Sequence, residues 1–216
     1  MRLFSTLTFL IVFISLPLMP KDENPWVLKK DHERFQIYTR EKSGSKIDEV
    51  QVVALISGTI REAYEVLTDT GNFTETFRPH IIESGVTKKG VDCSSVYLVM
   101  DPALLERRYT HIKLCTTFLS PDSFNFYWTR LPDRPLQAGD KAIEMDFRKG
   151  GCTFNETAVP DELQVTCQAS LDLGGSLPVF MINEINMKAI PSVIWQIYDE
   201  IKRRRDFSSE VLKKGK

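Results

Sequence analysis

The last third of this chain changes period. After Asp172-Leu173-Gly174-Gly175-Ser176-Leu177-Pro178, the residues Ile182, Ile185, Ala189, Val193, Ile197 and Ile201 recur at three- and four-residue steps, and Phe180, Ile190 and Ile194 widen the stripe. That spacing lays one apolar face along a long amphipathic helix. Pro178 suits its first turn, where a missing N–H costs nothing. Pro191 removes an internal hydrogen bond and is expected to kink the helix. Lys202-Arg203-Arg204-Arg205 bring positive charge to the negative end of the helix dipole. The stripe has to be covered, and nearly everything before it is β.

Asp31 to Glu41 alternates Phe35, Ile37 and Thr39 against polar residues, and Ile47 to Ile56 does so with Val50, Val52 and Ala54; both read as strands. Ser57-Gly58-Thr59 breaks the pattern, and Thr59 is placed to cap a helix over Ile60–Leu67. Asn72–His80 reads as a short helix or turn. Seven β segments follow, at Ile81–Lys88, Cys93–Met100, Arg107–Leu119, Ser123–Leu131, Lys141–Lys149, Cys152–Val159 and Leu163–Leu173. Their separators, such as Ser120-Pro121-Asp122, Gly150-Gly151 and Pro160-Asp161, are turn-formers. Short connections between successive strands imply an antiparallel meander. The expected fold is therefore α+β, a curved antiparallel sheet wrapped around the final helix, with a hydrophobic cavity between them.

The 216 residues fit one such domain, at 21–207, preceded by a separate segment at 1–20 and followed by a basic tail at 208–216. A net charge of −1 gives no electrostatic pull toward nucleic acid. Arg2 followed by the uncharged run Leu3–Leu18 resembles the start of a secretory signal, short for a bilayer span of ~20 residues. It is either a cleaved signal or an uncleaved anchor, so the chain is expected to be exported, periplasmic or secreted. The four cysteines form no C-x-x-C and the three histidines are scattered, which disfavours zinc. Cys93 and Cys115 mirror each other about the Asp101–Glu106 turn, as Cys152 and Cys167 do about Pro160-Asp161. Two cross-strand disulfides are expected, provided the register is right to one residue.

The residues Asp172-Leu173-Gly174-Gly175-Ser176-Leu177-Pro178 with Met181-Ile182-Asn183 resemble the approach to the last helix in the steroidogenic acute regulatory-related lipid transfer (START) family, of the helix-grip superfamily. Val96–Met100 with Pro102, Glu106-Arg107-Arg108-Tyr109, Trp26 and Tyr38-Thr39-Arg40 are similar to other parts of its pattern. The chain departs from it at Arg108, Ser176 and Ile143-Glu144. The resemblance implies a lipid binder or carrier that needs no cofactor, works as a monomer and touches membranes transiently.

It also implies sites. Lys113 shares an alternation phase with Tyr109 and His111, and in the family a basic residue here faces the cavity; the alternative turns Lys113 to solvent and Ile112 and Leu114 inward. Tyr97, Tyr109, Phe126 and Trp128 are candidate walls, and Met181, Ile185 and Asn186 a candidate floor, unless they simply pack as core. The 131–139 connection, with Leu131 and Leu136, corresponds to the family's gate loop, closing toward Gly174 and Gly175. The ligand would be a sterol, phospholipid or similar molecule. The competing reading is a helix-grip enzyme of the cyclase or hydrolase type, with His111 and Asp146 or Glu144 as its acid–base pair.

Overall fold

The computed structural model describes residues 24–102, 105–134, 141–147 and 149–214. The apolar run at 3–18 and Leu136 lie outside them. Strands β1 (Val27–His32), β2 (Phe35–Arg40) and β3 (Glu49–Ser57) lead to helices α1 (Ile60–Thr68) and α2 (Phe73–Thr76). Strands β4 (Ile81–Lys89), β5 (Cys93–Met100), β6 (Arg108–Ser120) and β7 (Ser123–Arg130) follow, then the short β8 (Ile143–Glu144) and β9 (Asp146–Phe147). The chain ends in β10 (Lys149–Glu156), β11 (Glu162–Ala169), β12 (Leu171–Asp172) and helix α3 (Val179–Lys214).

The main sheet runs β1-β2-β3-β11-β10-β7-β6-β5-β4, antiparallel throughout, with β8 added parallel to β6. Register rows cross it: Val52, Cys167, Cys152 and Phe126 are successive partners, as are Ala54, Val165, Phe154 and Phe124. These side chains lie in one buried core with Ile112 and Leu114 of β6, Val96 and Leu98 of β5, α1, and Ile190, Ile194, Ile197 and Ile201 of α3. Strands β2 and β5 are six places apart, ~29 Å in a flat sheet, yet both join this core around a helix ~10 Å across. The sheet therefore curls around α3. The α+β, helix-grip arrangement expected from the sequence is present.

Several local expectations change: Lys141–Lys149 divides among β8, β9 and the first residue of β10, and Leu163–Leu173 divides into β11 and β12. Asp31–Glu41 is not one strand: the polar run Asp31-His32-Glu33-Arg34 turns the chain, and Asp31 and His32 close β1, which alternation missed. Gly150 and Gly151 do not form a turn but pair within β10 with Trp128 and Tyr127. A Cβ at Gly150 would fall 2.5 Å from the Trp128 indole, so glycine here serves close approach. Helix α3 continues through Pro191 to Lys214, and its buried line is Ile182, Asn186, Ile190, Ile194, Ile197 and Ile201. Val193 and Phe180 of the expected stripe are exposed, at 38% and 70%.

Because α3 continues, Arg203, Arg204 and Arg205 are interior to it, and Arg204 and Arg205 clamp it to α1. Glu200, buried, accepts hydrogen bonds from Arg203 and Arg204. Arg204 also reaches Asp69, and Arg205 reaches Glu62. Glu62 is itself half of a capping box: its N–H donates to the Thr59 hydroxyl and its carboxylate accepts from the Thr59 N–H.

Both expected disulfides are present, Cys93–Cys115 and Cys152–Cys167, each between directly opposed residues with α-carbons 4.1 and 4.0 Å apart. Cys152 and Cys167 sit in the core under α3. Cys115 is one residue out of phase with the core-facing Leu114, so its bridge to Cys93 lies on the outer face. No helix among the described residues is long and apolar enough to cross a membrane.

Candidate functional site

The inner face is mostly apolar, and one of the polar residues buried on it stands in the N-terminal half of α3. Asn186 stands in the buried line where a helical repeat calls for an apolar residue, and it is fully buried. Its amide nitrogen donates to the Leu171 carbonyl at 3.0 Å, while its amide oxygen has no partner among the described residues. Leu171 pairs with Phe147 across β12 and β9, and the Phe147 ring lies 6.1 Å from that of Trp128. The Trp128 indole N–H is also buried and unpartnered, as is the Thr110 hydroxyl of β6. A buried polar group without a partner costs ~1–3 kcal/mol, so these three call for a functional account.

The turn leading into α3 closes this region. Gly174 and Gly175 adopt φ of 68° and 72°, and the Gly174 N–H donates to Asp172 Oδ1 at 3.0 Å. A Cβ on Gly174 would stand 2.2 Å from the Glu144 carbonyl oxygen. Gly174→Ala is therefore expected to lower unfolding free energy by more than about 2 kcal/mol, from left-handed strain plus a backbone clash. A urea midpoint unchanged from the parent would refute this. Arg108, 3% exposed, braces the same turn: Nε donates to the Leu173 carbonyl at 2.8 Å and Nη1 to that of Glu106 at 2.5 Å. The Asn183 side chain accepts from the Asp48 N–H at 3.1 Å and ties α3 to the chain before β3.

The structure brings some of the expected residues together and separates others. Phe126 and Trp128 line the inner face in the main core, whereas Ile185 packs on a separate cluster of Ile47, Met145, Leu173 and Ile182; Asn186 is buried on α3 against Leu171. Met181 is on the helix's exposed side, beside Phe180. Tyr97, Tyr109 and Lys113 are on the outer face, because Ile112 and Leu114 take the inward phase of β6; Lys113 is exposed. This corrects the expected facing of all three. Tyr97 and Tyr109 are buried there in a small separate cluster with Val99, Tyr97 donating to Glu83 at 3.0 Å. Leu131, half-buried, donates its N–H to the His111 carbonyl, so the 131–139 connection starts pinned to β6.

The outer face also holds the expected acid–base residues. His111 Nδ1 lies 2.6 Å from the Asp133 carbonyl and Nε2 2.9 Å from the Thr87 hydroxyl. Neither contact is to Glu144 or Asp146, whose carboxylates meet Arg130. Burial alone would raise the Glu144 carboxyl, but hydrogen bonds from Arg130 and Tyr109 outweigh it and hold it below the usual carboxylate range. Burial, then the Glu144 carboxylate, pushes the Tyr109 phenol up. A shallow surface hollow of about 480 Å³ lies elsewhere, at the β1–β2 turn by His32, Arg34, Val53 and Leu55.

Known structures share this arrangement. A STAR-related lipid transfer protein from Xanthomonas axonopodis superposes with a TM-score of 0.70 at 20% identity, over 82% of this chain and 98% of that one. Human StAR-related lipid transfer protein 5 gives 0.74 at 12% identity over 86% and 90%, and human STARD10 gives 0.73 at 14% over 89% and 79%. The chain has the START fold. At these identities the likeness concerns the fold alone. No protein-family model matches the sequence, and no curated protein matches it. Within the START fold, Thr110, Phe147 and Leu171 were not singled out from sequence. Phe147 and Leu171 belong to two-residue strands, too short for alternation to register, and Thr110 sits near the start of β6 without distinction.

Proposed function

We propose that this protein is a non-enzymatic binder and carrier of one hydrophobic, lipid-like ligand, held between the inner face of the sheet and the N-terminal half of α3. The observation that carries the reading is the fold, shared nearly end to end with proteins described as STAR-related lipid transfer proteins. The aromatic wall of Phe126, Trp128 and Phe147 adds to it, since burying apolar ligand surface there gains ~25 cal/mol per Å². The reading needs no cofactor. Exposed Phe180 and Met181, next to the Gly174-Gly175 turn, provide a place for transient membrane contact while ligand enters. The 131–139 connection acts as the gate. Two disulfides and the apolar run at 3–18 fit an exported monomer, since such bonds persist in oxidising compartments.

The test is native mass spectrometry of the protein purified from its own host without detergent, then solvent extraction. A stoichiometric co-purifying lipid is expected. Protein that arrives empty and takes up nothing from a broad lipid panel would defeat the reading and return weight to a small-molecule enzyme.

A further inference from the structure

The unpartnered polar atoms of the inner face differ in kind, and the difference constrains the ligand's polar end. Trp128 Nε1 is a donor only, while the Thr110 hydroxyl can donate or accept and sets no constraint. The Asn186 amide has its nitrogen committed to Leu171, which leaves an oxygen that only accepts. The two are linked through Phe147: its ring lies 6.1 Å from that of Trp128, and its strand partner Leu171 accepts from the Asn186 amide. The indole is held in place by Gly150, where any side chain would collide with it. The amide is held by the Leu171 bond and by complete burial.

We propose that the ligand's polar end is an uncharged group that both accepts and donates, an alcohol or an unsubstituted or monosubstituted amide. It accepts from the Trp128 indole N–H and donates to the Asn186 amide oxygen. A phosphate diester or carboxylate satisfies the indole but has no hydrogen for Asn186, and it sets negative charge against that oxygen at a buried position. An ether or ester accepts without donating. The buried cation of this region, Arg108, has Nε and Nη1 spent on the Leu173 and Glu106 carbonyls and serves the turn before α3. The inference rests on the lipid-carrier reading and narrows it.

The test is a matched dodecyl series on the delipidated full chain, by competition against 1-anilinonaphthalene-8-sulfonate: dodecanol, dodecanamide, dodecyl methyl ether, and dodecanoate at a pH where it is ionised. Dodecanol and dodecanamide are expected to bind ~10-fold tighter than the ether, the equivalent of one retained hydrogen bond. Asn186→Leu is expected to bring the alcohol down to the ether. Trp128→Phe is expected to weaken both ~5- to 10-fold with their ratio kept. The series on the unmodified protein decides the matter even where a variant does not fold. Equal binding of alcohol, amide and ether overturns the inference and leaves the carrier reading standing. Tightest binding of dodecanoate overturns it in favour of an anionic end at Arg108. If no member of the series binds, the carrier reading falls with it.

Discussion

Reducing both disulfides is expected to lower the unfolding free energy by about 6 kcal/mol, about 3 for each, on loop-closure grounds. The bridged residues are 22 and 15 positions apart, so the two loops differ little in closure entropy. Against a stability of ~5–15 kcal/mol for a domain of ordinary size, the reduced chain retains little or none. The pairs are separable as Cys93→Ala/Cys115→Ala and Cys152→Ala/Cys167→Ala. The second is expected to cost more, because Cys152 and Cys167 are buried in the main core and their truncation also leaves a void. Urea unfolding with and without reductant measures both. A loss below about 1 kcal/mol on full reduction would show that the hydrophobic core alone holds the register, contrary to the loop-closure argument.

Removing the two arginines that hydrogen-bond Glu200 should invert that residue's contribution to the protein's response to acid. Burial, the largest influence on Glu200, raises its carboxyl, yet the hydrogen bonds from Arg203 and Arg204 together outweigh it and hold the group below its ordinary range. Glu62 is lowered likewise, chiefly by Arg205. A carboxylate depressed in the folded state stabilises above its unfolded value, and that stability is lost as pH falls through the folded value. The parent protein should therefore lose stability progressively below about pH 4.5. In Arg203→Ala/Arg204→Ala the carboxylate stays buried without its partners, at a cost of ~3 kcal/mol near neutrality. Burial then raises its folded value, so protonation relieves the penalty and Glu200 contributes a gain on acidification. Chemical unfolding at several pH values reads the slope; parent and variant curves running parallel would rule the clamp out as an electrostatic device.

What the sequence disclosed follows the strength of its periodicities. The long helix, the meander and both cysteine pairings were legible, because each rests on a repeat of 3.6 or 2 sustained over many residues, or on symmetry about a turn. What was lost is local. The phase of β6 is ambiguous on paper: Tyr109, His111 and Lys113 alternate with Thr110, Ile112 and Leu114, and both sets contain large side chains. Tertiary packing against α3 chose the second set, which moved Tyr97, Tyr109 and Lys113 to the outer face. The α3 stripe was offset for a related reason, since an unlabelled apolar count favours Ile185 and Val193 over the polar Asn186 that occupies the central line. Gly150 looked like punctuation because a glycine that makes room for an indole and one that makes a turn are the same letter.

The placement of the two disulfides bears on how such a fold can admit a guest. One joins β5 to β6 and the other β10 to β11, and β7, with Phe124, Phe126 and Trp128, runs between these two hairpins. The two strands of each hairpin cannot slide past one another without breaking a covalent bond, so each hairpin holds its register as a unit, while β7 pairs with both through hydrogen bonds. Compliance is left to elements that no disulfide braces, the glycine turn and the first turns of α3. On the carrier reading, a molecule entering the interior would displace that turn and leave both hairpins whole.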